Sequence, residues 1–67
     1  MQTFEVTYQK VFFDDQERET TRSGFNVMEV TGIDQKSALA RLGHIISLNE
    51  GIDFYMYIDI TEIKRIR

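Results

Sequence analysis

The residues of this chain that could do chemistry are scattered carboxylates, three serines and one histidine. Asp14 and Asp15 are adjacent in a turn, where neighbouring side chains point in different directions, and acid–base use of such a pair would need a cleft that shifts a pKa. His44 cannot build a His-rich metal site, and its helical context predicts a partly exposed structural residue. No serine lies in a G-x-S-x-G context, and the sequence has no glycine-rich phosphate loop. We therefore expect a protein that is not an enzyme and has no cofactor.

Aromatic side chains suggest binding instead, because the chain carries more of them than one helix can cover. Adjacent strand residues point to opposite faces of a sheet, so Phe12 and Phe13 cannot both lie beneath a single helix. In the segment IDFYMYIDI the same alternation places Tyr55 and Tyr57 on one face and Phe54, Met56 and Ile58 on the other. Exposed apolar patches usually mark contact surfaces. The sequence predicts a partner-binding surface that contains Phe12, Phe13, Tyr55 and Tyr57; alternatively, loops cover these rings or the tyrosines lie flat with their hydroxyl groups in water.

The basic C-terminal segment raises a second binding hypothesis, in which the partner is a nucleic acid. Lys64, Arg65 and Arg67 could contact phosphates, and tyrosines on an open sheet face could stack on bases. Acidic residues lie among these same positions, and the net charge of −3 opposes binding to a polyanion. Nucleic-acid binding is therefore the alternative to protein binding.

Length and composition limit the fold to one small domain spanning residues 1–67. With 42% hydrophobic and 28% charged residues, the chain has the composition of a globular domain. A core of this size supplies only about 3–5 kcal/mol, and the absence of cysteine excludes disulfides. We therefore expect extra stabilisation from a partner or from self-association as a homo-oligomer. The apolar runs are too short for a membrane span and the N-terminus lacks a secretory pattern, so we expect a cytoplasmic protein.

Two strands and a turn are predicted in the N-terminal half. TFEVTY alternates apolar and polar residues, but Val11 and Phe13 fall out of phase with it, which indicates either a bulge near Gln9 and Lys10 or a strand end that is apolar on both sides. DDQE supplies the turn. The return strand begins around Arg18 or Glu19 and runs to TG at positions 31–32, with Gly24 as a possible bulge.

One helix and a last strand complete the pattern. Asp34 is a good N-cap, and Gly51 marks the helix end. The apolar positions that follow the helical template are Ala38, Leu39, Leu42, Ile45, Ile46 and Leu48. Gly43 inside the helix indicates either a strand passing close beneath it or a merely tolerated glycine. The last strand runs from about residue 53 to 66, with an irregularity where its isoleucines lose phase.

These elements predict an α+β fold: a three-stranded, mainly antiparallel sheet in ββαβ order, with the first strand in the middle and one helix packed on one face. Such an arrangement buries one face of the sheet under the helix and leaves the other face bare.

The segments FEVTYQK, DDQE, VMEVTG, DQKSALARL and ITEIKRIR, in this order, resemble the layout of very short proteins encoded by phages and mobile elements. That group includes phage inhibitors of host RNA polymerase and some anti-CRISPR proteins. The resemblance implies a protein that binds and modulates a host protein, and it assigns no functional residue. We expect such a module to form homodimers through its open sheet face or an edge strand; the alternatives are a nucleic-acid-binding module and a subunit of a larger enzyme.

Overall fold

One long strand organises the fold. The computed structural model describes residues 1–50 and 56–67, and for residues 49 and 50 it describes the backbone alone. The elements in chain order are β1 (Gln2–Phe13), β2 (Glu19–Arg22), β3 (Asn26–Gly32), α1 (Gln35–Glu50) and β4 (Met56–Arg65). The length of β1, 12 residues at about 3.3 Å each, matches the 40 Å long axis of the molecule.

All pairings in the sheet involve β1 and all are antiparallel. Along one edge β1 pairs with β3 and then with β2, and along its other edge it pairs with β4. This arrangement confirms the α+β fold, the ββαβ order and the central position of the first strand. The sheet has four strands rather than three, because the return strand is divided between β2 and β3.

The division of the return strand comes from one extra residue. Tyr8 pairs with Asn26 while Val11 pairs with Arg22, so three steps along β1 correspond to four steps along the return strand. Ser23 stays attached at this point: its amide donates to the Lys10 carbonyl at 2.9 Å, and its hydroxyl oxygen accepts from the Lys10 amide at 2.8 Å. The irregularity expected at Gly24 is therefore present, and it ends β2 as a separate strand.

The core lies between α1 and one face of the sheet, the helix face. Phe4, Val6 and Tyr8 of β1 are buried there, and they pack with the buried residues Val30, Ala38, Leu42 and Ile46. Val11 is also fully buried, although β1 continues without a bulge and its side chain points to the opposite face, here called the open face. The phase slip in the sequence therefore reflects a strand end that is apolar on both faces, and not a bulge near Gln9 and Lys10.

A tight turn between β3 and α1 explains where the helix begins. The Asp34 carboxylate accepts a hydrogen bond from the Ser37 amide at 2.8 Å, which confirms the N-cap. A Cβ on Gly32 would lie 2.6 Å from the Ala38 nitrogen, so β3 can meet α1 this closely only through a glycine. The sequence patterns did not predict this requirement for glycine at position 32.

One prediction for α1 is wrong, and the structure decides between the two interpretations of Gly43. Leu48 is 70% exposed and does not belong to the core, because it lies on the flank of the helix rather than over the sheet. Nothing comes within 4 Å of a Cβ built on Gly43, so no strand passes close beneath it and the tolerated-glycine interpretation holds. The prediction for Gly51 lies outside the described residues.

The irregularity predicted in the last strand is a bulge at Thr61. Thr7 pairs with Glu62 and Tyr8 pairs with Ile60, which leaves Thr61 as the extra residue of β4. The bulge lets Ile58, Ile60 and Ile63 all pack against the core despite their uneven spacing. The start of the strand predicted at residue 53 falls outside the described residues. Within the described part, no helix is long and apolar enough to cross a membrane.

Candidate interaction surfaces

Two aromatic rings stack on the open face near the turn that follows β1. The ring centroids of Phe13 and Tyr57 are 5.1 Å apart and the ring planes differ by 22°. Val11 pairs directly with Tyr57 and with Arg22, and these long neighbours explain how it is buried on an otherwise open face. Tyr57 itself remains 44% exposed. We call Val11, Phe13 and Tyr57 the aromatic patch.

Arg22 of β2 borders the aromatic patch and ties three strands together. One guanidinium nitrogen donates to Asp59 at 2.7 Å and to Gln9 at 3.0 Å, and the other donates to Glu19 at 3.0 Å. Hydrogen bonds to Glu19 first, and then to Asp59, raise the pKa of Arg22 above its usual range, so this side chain stays charged. The short strand β2 is thereby linked across β1 to β4.

The structure brings together two of the four predicted partner-binding residues. Phe13 and Tyr57 share the aromatic patch. Phe12 pairs with Met56, whose side chain packs against the core, so Phe12 points to the helix face, where it is half-buried. Tyr55 lies outside the described residues. The phase slip at Val11 was the signal in the sequence that an apolar cluster would form on the open face.

Away from the aromatic patch, the open face is mostly polar. The directly paired residues there include Thr3 with Thr31, Glu5 with Glu29, and Thr7 with Glu62. Polar side chains tolerate water on this face. Val27, which pairs with Thr7, is an exposed apolar residue there, with 62% of its surface accessible. Val27 was not singled out in the sequence, although it interrupts the polar set formed with Glu29 and Thr31.

The basic residues of the C-terminal segment do not form one strip. Lys64 pairs with Glu5 and points to the open face, whereas Arg65 pairs with Phe4 and points to the helix face. The Arg67 guanidinium lies 3.6 Å from the Glu29 carboxylate. The three cations are therefore not on one face, and Arg67 lies close to a carboxylate.

Of the adjacent carboxylates Asp14 and Asp15, Asp14 has a structural role. Asp14 accepts hydrogen bonds from the amides of Gln16 and Arg18 at 2.9 and 3.0 Å, closing a turn in which Glu17 has a left-handed φ of 61°. The backbone hydrogen bond from Arg18 is the main cause that lowers the pKa of Asp14. The backbone hydrogen bond from Ser37 likewise lowers the pKa of Asp34.

Metal ligation finds no geometric support either. Among the described residues, no three histidine, aspartate or glutamate side chains are grouped as a metal ion would require. His44 is exposed on α1. The geometry therefore directs attention to surfaces rather than to a catalytic centre.

Comparison with known proteins gives no assignment. No protein-family model matches the chain, and neither the curated proteins nor the solved structures include a significant match.

Proposed function

We propose that this chain is a small, non-enzymatic protein-binding module whose contact surface includes the aromatic patch. One observation carries the proposal: Phe13 and Tyr57 stack on the sheet face that α1 does not cover, and Tyr57 keeps 44% of its surface exposed. Tyrosine and phenylalanine are enriched in the cores of protein interfaces, where they bury much area and order few rotatable bonds.

The surroundings of the aromatic patch suit recognition because they are already ordered. The Tyr57 ring stacks on Phe13, and Tyr57 pairs with the buried Val11 of the neighbouring strand, so binding would cost little side-chain entropy. Arg22, Glu19 and Asp59 place a polar rim next to the rings. An apolar centre with a polar rim is the usual anatomy of a protein interface.

The partner that we propose is a host protein, which the module binds and modulates, in the manner of the short phage-encoded inhibitors whose layout it resembles. The small core supports the further proposal that the module self-associates through the open face or a sheet edge. Nucleic-acid binding is supported less well, because Lys64 and Arg65 point to opposite faces and Arg67 lies beside a carboxylate.

Affinity capture from a bacterial lysate tests the proposal. The tagged wild type, Tyr57→Ala and the matched control Ile33→Ala would be compared, since Ile33 is also exposed (74%) but lies at the turn between β3 and α1. The expected result is a protein captured by the wild type and the control. The purified partner should bind Tyr57→Ala more weakly by about 1–4 kcal/mol, as for an aromatic hot spot. Equal binding by all three chains would contradict the role of the patch.

A second assay separates protein binding from nucleic-acid binding. Fluorescence anisotropy would measure labelled single- and double-stranded oligonucleotides against the wild type and a variant with Lys64, Arg65 and Arg67 changed to Gln. We expect no binding even at low salt, where electrostatic attraction is strongest. Salt-dependent micromolar binding that the triple variant loses would replace our proposal with the nucleic-acid alternative.

A further inference from the structure

The two outer edges of the sheet are protected to very different degrees. The edge strand β4 contains the bulge at Thr61 and the charged residues Asp59, Glu62, Lys64 and Arg65. Bulges and charges, lysine above all, are the usual devices that stop an edge from pairing with another strand. Strand β3 has an unbroken register of seven residues, one charged residue and the exposed Val27. Within the described residues β3 pairs only with β1, so no other strand of this part of the chain occupies its outer edge.

One flank of α1 lies next to this edge. The Arg41 guanidinium donates to the Thr31 hydroxyl at 3.5 Å. Because Thr31 pairs with Thr3 and points to the open face, the Arg41 side chain passes around the outer edge of β3 to reach it, in a long and exposed contact that an added strand would replace. Residues seven apart share a helix face, so Leu48 lies on the same flank, and it is 70% exposed. The opposite flank faces the rest of the sheet, where Leu39 packs against the core.

We propose that the groove between the outer edge of β3 and the Arg41–Leu48 flank of α1 binds an extended segment of a partner protein by strand addition. This inference rests on the proposed protein-binding function and adds a second contact site to it. Main-chain hydrogen bonds to β3 supply affinity, and alternate side chains of the added strand meet the helix flank and supply specificity.

The groove defines the chemistry of the segment it binds. One side chain that faces α1 is apolar and covers Leu48, and another is acidic and meets Arg41. Seven helical residues span about 10 Å, which corresponds to two to four residues of a strand at about 3.3 Å each. Charge complementarity favours the acid, because the cation Arg41 lies on this flank and Glu29 across the edge is already compensated by Arg67.

A second copy of this chain fits the groove poorly. Pairing β3 with β3 of another copy would set the two strands about 4.8 Å apart. Each copy carries α1 mainly over its own β3, and packed helices need about 8–10 Å between their axes. The two helices would therefore collide, whereas a segment without a helix meets no such obstacle.

An NMR titration with a designed peptide tests the inference. The probe is the peptide TTETVTVTT, whose Glu and two Val side chains share one face. The two distances from Glu to Val lie below and above 10 Å. The peptide is added to the ¹⁵N-labelled full chain up to millimolar concentration. We expect saturable shifts of the β3 amides, and no such shifts with the same peptide N-methylated at alternate residues. The absence of β3 shifts with the unmodified peptide would overturn the inference.

Charge reversal identifies the contact with α1. Arg41→Glu should weaken binding of the peptide about tenfold, and a peptide with Lys in place of Glu should recover that loss. Lys36→Glu makes the same charge change on the other side of the helix and should leave affinity unchanged.

Val27→Lys adds a lysine to the edge strand β3 and should also weaken binding of the peptide about tenfold. The amide spectrum of this variant shows whether it is folded. If Arg41→Glu and Lys36→Glu behaved alike, the groove would not be the site.

The outcome is separable from that of the proposed function. A partner captured from lysate that depends on Tyr57 but not on Val27 or Arg41 would support the aromatic patch and refute the groove. Dependence on Val27 and Arg41 alone would support the groove and refute the patch.

Discussion

At the residue scale, Gly32 and Gly43 differ in the space available for a Cβ atom, and replacing each by alanine tests that difference. Gly32→Ala should destabilise the fold by about 1–3 kcal/mol, because its Cβ would lie 2.6 Å from the Ala38 backbone nitrogen, which cannot rotate away. Gly43→Ala should stabilise it by about 0.5–1 kcal/mol, since the position is helical and its Cβ meets open space. Urea unfolding of both variants compares the two effects. A destabilised Gly43→Ala would show that this position is crowded.

Residues of one helix should differ sharply in what they contribute. Leu42 and Ile46 are 1% and 2% exposed, so truncation of either to Ala should cost about 2–5 kcal/mol. His44 lies between them in sequence but is exposed, and His44→Ala should stay within about 1 kcal/mol of the wild type. Urea melts give all three values. If His44→Ala abolished partner binding without changing its melt, the histidine would have a functional role that we have not assigned.

Acid should weaken the helix N-cap. The hydrogen bond from Ser37 lowers the pKa of Asp34 in the folded state, so the stabilisation that it gives is complete above the unfolded-state pKa and is lost as pH falls through the folded-state value. Asp34→Asn keeps a capping side chain that does not ionise. The wild type should therefore lose stability relative to Asp34→Asn as urea melts move from about pH 4 to about pH 2. A constant difference between the two across this range would contradict the cap assignment.

At the scale of elements, the order and type of the strands and the helix were predictable, because periodicity reports local structure directly. TFEVTY alternates cleanly, Asp34 caps the start of the helix, and the uneven spacing of the isoleucines in the last strand indicated an irregularity, which is the bulge at Thr61. What failed depended on placement. Leu48 fits the helical template but lies on an exposed flank of α1, and the template contains no information about how wide the sheet beneath the helix is.

The candidate site was predictable only in part, because side-chain neighbours across strands depend on register. The alternation of residues in the strands predicted that Phe13 and Tyr57 belong to a binding surface. Their stacking, however, requires the pairing of Val11 with Tyr57, which no local pattern specifies. Phe12 was grouped with them although it points to the other face. Arg22 was not singled out, since its partners Asp59 and Gln9 are distant along the chain.

The shortest strand should depend on Arg22 for its local stability. β2 has four exposed residues, and Arg22 links it to Asp59 on the far side of β1. Arg22→Gln should speed hydrogen exchange of the β2 amides while leaving those of β3 unchanged. Arg67→Gln, which removes the looser 3.6 Å pair with Glu29, serves as the control and should leave β2 exchange unaltered. Unchanged β2 exchange in Arg22→Gln would mean that main-chain pairing alone holds the strand.

At the scale of the whole molecule, we predict a dimer or higher oligomer at micromolar concentration. The core is small for independent stability, and the aromatic patch offers apolar surface on the open face. Sedimentation equilibrium measures the mass directly, and Tyr57→Ala should shift the distribution toward single chains. A mass of 7.9 kDa throughout that range would contradict self-association and leave the open face to a foreign partner or to solvent.

The central position of β1 has a consequence for how the chain folds. Its partner β4 comes last among the described strands, and pairs such as Phe4 with Arg65 join residues about sixty positions apart, so closing this ladder carries the largest loop entropy in the molecule. Until it closes, the edge of β1 is vacant, and β4 from another copy offers the same pairs in the same register. Refolding at high protein concentration therefore favours molecules that exchange β4, and domain swapping of this strand is the form of misassembly that the topology favours.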